Sequence, residues 1–173
     1  MQNFQEFLEN SLQQNIKKLV PLTGGASADI NRIILENNNE LIVRRSLSKE
    51  QSVMAVPKKI EAKIQRIVRS NDAPVPEIIF EFSEDEDIGE GYVMEAIPGE
   101  TIPRKILRDD KYKNVRSKLS FEIGRSLATI HQTKLDELTD LDSVTFEETL
   151  KKLYRVYSSF EQPQPVFELA FKW

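Results

Sequence analysis

Apolar residues recur along this chain with two periods, and the change from one to the other divides it. Phe4, Phe7, Leu8, Leu12 and Ile16 keep helical spacing and predict a short amphipathic opening helix. Lys18 to Leu22 predicts a strand, and Leu22-Thr23-Gly24-Gly25-Ala26-Ser27 a turn after it. Ala28 to Leu35 and Glu40 to Arg45 predict a hairpin closed by Asn37-Asn38-Asn39, since asparagine tolerates the left-handed angles of a tight reversal. Pro57 suits the first turn of a second helix, where its missing N–H costs nothing. Ile60, Ile64, Ile67 and Val68 give that helix one apolar face. Ala73-Pro74-Val75-Pro76 ends it and leads into a strand from Ile78 to Phe82. An acidic connection, Ser83 to Gly91, precedes the strand Tyr92-Val93-Met94-Glu95-Ala96, and Ile97-Pro98-Gly99-Glu100-Thr101 breaks the pattern as a linker.

Beyond the linker the spacing is helical throughout. Leu119, Ile123, Leu127 and Ile130 line one face, with Gly124 and Ala128 small enough to admit a close neighbour. Thr145 followed by Glu148 forms a capping box for a helix reaching to about Phe160. Pro165 opens a last helix with Val166, Leu169, Ala170 and Trp173 at i, i+3, i+4 and i+7. That stripe is unfinished at Trp173 and has no C-terminal cap, which predicts a chain truncated from a longer protein.

Composition narrows the function classes. A chain of 173 residues holds one compact domain or two small lobes, and its 39% hydrophobic content supports a core. Net charge is −4 with lysine and arginine dispersed, which argues against nucleic acid as a partner. Without cysteine there is neither a disulfide framework nor a thiolate metal site. The opening residues lack the basic and apolar regions of a signal peptide, and no apolar run is long enough to span a bilayer. A cytoplasmic protein is expected, and its oligomeric state cannot be read.

The glycine turn is the first candidate for chemistry. Gly24 and Gly25 let the backbone approach a ligand with no Cβ in the way, and the N–H groups of such a turn can cradle phosphate. A purely structural β-turn is the competing reading. The pairs Asp85/Asp87 and Asp140/Asp142 superficially suit magnesium, but their polar neighbourhoods favour solvated turns.

The order of features is strand, glycine turn, two strands, helix, two strands, linker, then helices. It predicts an α+β fold in which a five-stranded antiparallel sheet carries one helix. Leu22 to Ser27, Leu41-Ile42-Val43-Arg44-Arg45, Glu61, Pro74-Val75-Pro76-Glu77, Tyr92 to Glu100 and Leu127-Ala128-Thr129-Ile130-His131 carry a family likeness. In that order they resemble the N-terminal part of the aminoglycoside phosphotransferase-like small-molecule kinases.

The resemblance implies a protein-kinase-like small lobe over residues 1–96, a hinge at 97–101, and the beginning of a truncated helical large lobe over 102–173. It implies ATP or GTP as the nucleotide, a small-molecule hydroxyl as the acceptor, and magnesium held by ligands beyond the end of this chain. The phosphates would lie under Gly24, Gly25, Ala26 and Ser27, touched by Arg44, with Glu61 as that residue's helix partner. Family members commonly carry lysine in place of Arg44. Ile42 shares the face of Arg44 by strand alternation and would roof the base. Met94 would set the pocket's depth, while the Glu95 carbonyl and the Ile97 N–H would meet the base edge.

Ordinary alternatives stand beside these roles. Arg44 and Arg45 suit a charged strand end, and Met94 suits a core. Counting 100° per residue, Glu61 falls just past the rim of the isoleucine face, where a solvated pair with Lys58 is the other reading. His131, the sole histidine, ends a helix segment and suits a structural role. It is followed by Gln132 and Thr133, so the His-Gly-Asp type of catalytic loop is not in the sequence. The chain alone is expected to be inactive. A non-catalytic kinase-like module that binds nucleotide or protein is the alternative, and an unrelated α+β domain the bland one.

Overall fold

The structure is a computed structural model that describes residues 3–22, 29–47, 56–83, 87–134, 136 and 144–173. The opening helix α1 spans Phe4–Leu12, with Asn3 accepting from the Gln5 N–H and Gln13 taking left-handed angles (φ 54°) after its end. Ile16, expected on that helix, instead begins strand β1, Ile16–Pro21, where its side chain is buried. Strand β2 spans Asp29–Leu35 and β3 spans Glu40–Ser46. Between them Asn38 adopts φ 64° and Asn37 Oδ1 accepts from the Asn39 N–H, the reversal the asparagines predict. Helix α2 spans Lys58–Ser70, β4 spans Ile78–Ser83 and β5 spans Glu90–Glu95.

The five strands form one antiparallel sheet in the order β1-β2-β3-β5-β4. Alternation sends Ile33, Leu35, Val43, Val93 and Phe82 to one face, where Leu8 of α1 completes a buried core. Phe4 and Phe7 pack their rings on Phe82 from above. Gly91 opposes Phe82 across the β4–β5 pair; a Cβ there would lie 2.6 Å from the Phe82 ring and 2.5 Å from the Arg44 carbonyl oxygen. Only glycine lets that ring lie over the strand.

The opposite face receives α2 at the β4–β5 end. Here the sequence expectation holds for Val68 and not for the isoleucines. The buried positions of the helix are Lys58, Ala62 and Val68, while Ile60, Ile64 and Ile67 are only half-buried and belong to neither core cluster. Ala62 meets Ile78 and Tyr92 because its small side chain permits close approach, and the isoleucine stripe is turned aside. Residues 96–102 carry no helix or strand.

After them come α3, Pro103–Arg108, a 3-10 turn at Asp110–Tyr112, and α4, Lys113–His131. Arg116 ties α4 to α3 by donating from Nε to the Ile106 carbonyl. Among the described residues nothing lies within 4 Å of a Cβ built on Gly124, so no close neighbour uses that gap. Helix α5, Phe146–Ser159, starts from the expected capping box of Thr145 and Glu148. Helix α6, Pro165–Lys172, packs Phe167 and Phe171 on Tyr154 and Tyr157 of α5, whereas Val166 and Leu169 of the expected stripe are exposed. The whole is a mixed α+β chain: a five-stranded antiparallel sheet with a helix on each face, followed by helices.

Candidate functional site

The face of the sheet that carries α2 also carries Arg44 and Ile42, since both alternate away from the buried Val43. Arg44 Nε donates to Glu61 Oε2 at 3.0 Å, across from strand to helix. Lys58 Nζ reaches the other oxygen, Oε1, at 2.7 Å, and the Tyr92 hydroxyl lies 3.2 Å from Oε2. Tyr92 stands directly opposite Arg44 in the β3–β5 register, which is why all four side chains meet. Glu61 is therefore shared by two cations and a phenol.

Its charge is well supported. Burial alone would raise the Glu61 carboxyl, but the hydrogen bonds from Lys58 and Arg44 and their charges outweigh it and hold it below the usual carboxylate range. Tyr92 is pushed up to about 12, first by burial and then by the Glu61 charge beside it. The side chains of Arg44 and Glu61 keep 27% and 24% exposure, so this cluster is reached by solvent, while Lys58 is 5% exposed.

The start of α2 is fixed from outside the helix. Pro57 offers no side-chain cap, and Glu90 Oε1 on β5 accepts from the Lys58 N–H at 2.6 Å. A carboxylate at this end also complements the helix dipole. Farther along, Gln65 Nε2 donates to the Pro76 carbonyl and lies 3.8 Å from Met94 Sδ, steadying that side chain.

Register extends the site across the sheet. Met94 opposes Ile42, and Arg44 opposes Ile30. Val20 opposes Arg32, which opposes Ile42, so Val20, Ile30, Ile42 and Met94 share one face as a half-buried apolar strip beside Arg44, interrupted by the exposed Arg32 between Val20 and Ile42. At its β5 end the Glu95 N–H donates to the Glu77 carbonyl, and among the described residues none accepts from the exposed Ile97 N–H. Glu100 accepts from the Thr101 and Ile102 N–H groups and so holds the start of α3.

Several sequence expectations fall elsewhere. Gly24, Gly25, Ala26 and Ser27 lie outside the described residues, as do Asp85, Asp140 and Asp142. Asp87 sits in the turn before β5, and His131 is exposed at the end of α4. Among the described residues no three His, Asp or Glu side chains converge. Among them, too, no helix is long and apolar enough to cross a membrane.

Sequence reasoning paired Lys58 with Glu61 only as a solvated alternative, and it missed Tyr92, Val20 and Ile30 as parts of this face. Lys58 had a signal: a lysine in the first turn opposes the helix dipole and needs a carboxylate, and Glu61 stands at i+3. The other three became visible only through strand register.

No curated protein matches the chain. The profile of the phosphotransferase enzyme family matches residues 18–172, which takes in nearly all of the sheet, its ion-pair cluster and helices α2 to α6, and the chain belongs to this family of aminoglycoside phosphotransferase-like kinases.

Proposed function

We propose that the chain is the nucleotide-binding portion of an ATP- or GTP-dependent phosphotransferase that acts on a hydroxyl of a small molecule. The observation that carries this reading is the Arg44–Glu61 pair, 3.0 Å across from strand to helix on the face that bears the apolar strip. A purine would lie against Ile42 and its neighbours, with its edge toward the Glu95 carbonyl and the Ile97 N–H. Its phosphates would extend toward Arg44 and the backbone of Gly24 to Ser27. In this reading residues 1–96 are the nucleotide lobe, 97–101 the hinge and 102–173 the start of the helical lobe.

The aspartate of a His-Gly-Asp loop is not in this sequence. We therefore propose binding without phosphoryl transfer by the chain alone. Calorimetric titration with Mg-ATP and Mg-GTP tests the reading. Saturable binding of one of them, weakened about tenfold or more in Arg44→Gln, is expected for the loss of a charge-assisted hydrogen bond. Absence of binding by both nucleotides would overturn it.

A further inference from the structure

An arginine beside a carboxylate commonly engages it through two parallel N–H groups, one to each oxygen. Glu61 does not meet Arg44 in this way. Its Oε2 takes Nε of Arg44 and the Tyr92 hydroxyl, and its Oε1 is taken by Lys58 Nζ at 2.7 Å. Among the described residues nothing accepts from the terminal Nη1 and Nη2 groups of Arg44.

Packing alone gives no reason to bury Lys58. Its ammonium costs free energy at 5% exposure unless a carboxylate meets it, and its charge opposes the helix dipole. Its position makes sense through what it denies Glu61. With Oε1 drawn to Lys58, the carboxylate is turned so that Oε2 alone meets the guanidinium, at Nε. A lysine on β3 could serve a carboxylate and a phosphate with one freely rotating ammonium, but the donors of an arginine point in fixed directions. An arginine at residue 44 therefore needs its carboxylate held at Nε if its fork is to face a ligand.

We propose that Lys58 is a positioning residue of the nucleotide site: by holding Glu61 Oε1, it keeps Arg44 on a single Nε contact and leaves both terminal amino groups to a phosphate. This rests on the nucleotide-binding reading above. Lys58 touches no phosphate itself and acts through Glu61.

The test titrates the chain with whichever of Mg-ATP or Mg-GTP binds it, and separately with the matching nucleoside, which has no phosphates. Lys58→Met is expected to lose about tenfold in affinity for the nucleotide, the worth of one charge-assisted hydrogen bond, and to keep nucleoside affinity within about twofold. Lys58→Arg restores a cation against Oε1 and is expected to recover most of the loss. Unchanged nucleotide affinity in Lys58→Met overturns the proposal. So does an equal loss for nucleoside and nucleotide, which marks a merely structural role. If the unaltered chain binds neither nucleotide, the underlying reading fails, a result distinguishable because it appears before any substitution. Nitrogen NMR of the Arg44 guanidinium in the unaltered chain needs no variant to fold. Nucleotide should move the Nη signals and leave Nε in its Glu61-bonded position; displacement of Nε from that position overturns the proposal.

Discussion

The sheet and the helices after it treat their apolar side chains in opposite ways. Around the sheet, Leu8, Ile33, Val43 and Val93 are fully buried, and each face has its own helix. Helices α3 to α6 contain no buried residue among those described, and Phe121 and Val166 are 72% and 76% exposed. Both regions have well-formed local structure, including the capping box of α5. The difference shows that spacing and capping suffice to build a helix, while burial requires a partner surface. Stability should accordingly reside in the sheet, and the helices should answer mainly to local changes.

Five substitutions test that contrast. Leu8→Ala removes a fully buried side chain and is expected to cost about 2–5 kcal/mol in urea unfolding followed by circular dichroism. A loss no larger than that from Phe121→Ala would erase the contrast. Glu61→Gln comes next, since it leaves the nearly buried Lys58 without its anion; with the cluster partly open to solvent, about 1–3 kcal/mol is expected. Glu61 also has a pH signature. Its folded pKa lies below 4.5, so its contribution is fully present above pH 4.5 and is lost as pH falls through the folded value. The difference in melting temperature between the native chain and Glu61→Gln should narrow on acidification in that window, and a constant difference would contradict the arrangement.

Smaller effects follow. Tyr92→Phe removes one hydroxyl bonded to Glu61, at about 0.5–1.5 kcal/mol. The Tyr92 pKa is raised from 10.0 to about 12, so its contribution is present below pH 10 and declines as pH rises through 12. Spectrophotometric titration should find one of the four tyrosines ionising last, and Phe at this site should abolish that step. Thr145→Ala should cost about 1 kcal/mol of α5 stability through loss of its cap. Faster amide exchange confined to α5 is the expected readout. Equal acceleration in the sheet would show that the two regions share one cooperative unit. Phe121→Ala should change stability by less than about 0.5 kcal/mol.

Local signals were the legible ones. The Asn37-Asn38-Asn39 reversal, the Thr145–Glu148 box and the alternation of β3 each depend on residues a few positions apart, and each appears in place. What failed was the choice of which side of a helix meets its neighbour. The apolar count on α2 chose Ile60, Ile64, Ile67 and Val68, of which only Val68 is buried; the sheet beneath offers Tyr92 and Ile78, and it accepts Ala62. In α6 the i, i+4 pair Phe167 and Phe171 prevailed over the longer stripe, because the facing surface is aromatic. Periodicity describes one element, whereas orientation belongs to a pair. The same reason hid Val20 and Ile30, whose nearness to Ile42 depends on register between strands far apart in sequence.

Arg45 follows Arg44 and therefore points through the sheet to the other side. Its guanidinium lies 3.5 Å from the centre of the Phe4 ring and its Nε donates to Asp29 Oδ2 at 2.8 Å. One dipeptide thus fastens the opening helix behind the sheet and meets Glu61 in front. Deleting the first dozen residues, or fusing a bulky tag hard against Phe4, would loosen the strand on which the front arginine is mounted. An affinity handle for this protein belongs at a distance from Phe4, separated by a flexible spacer.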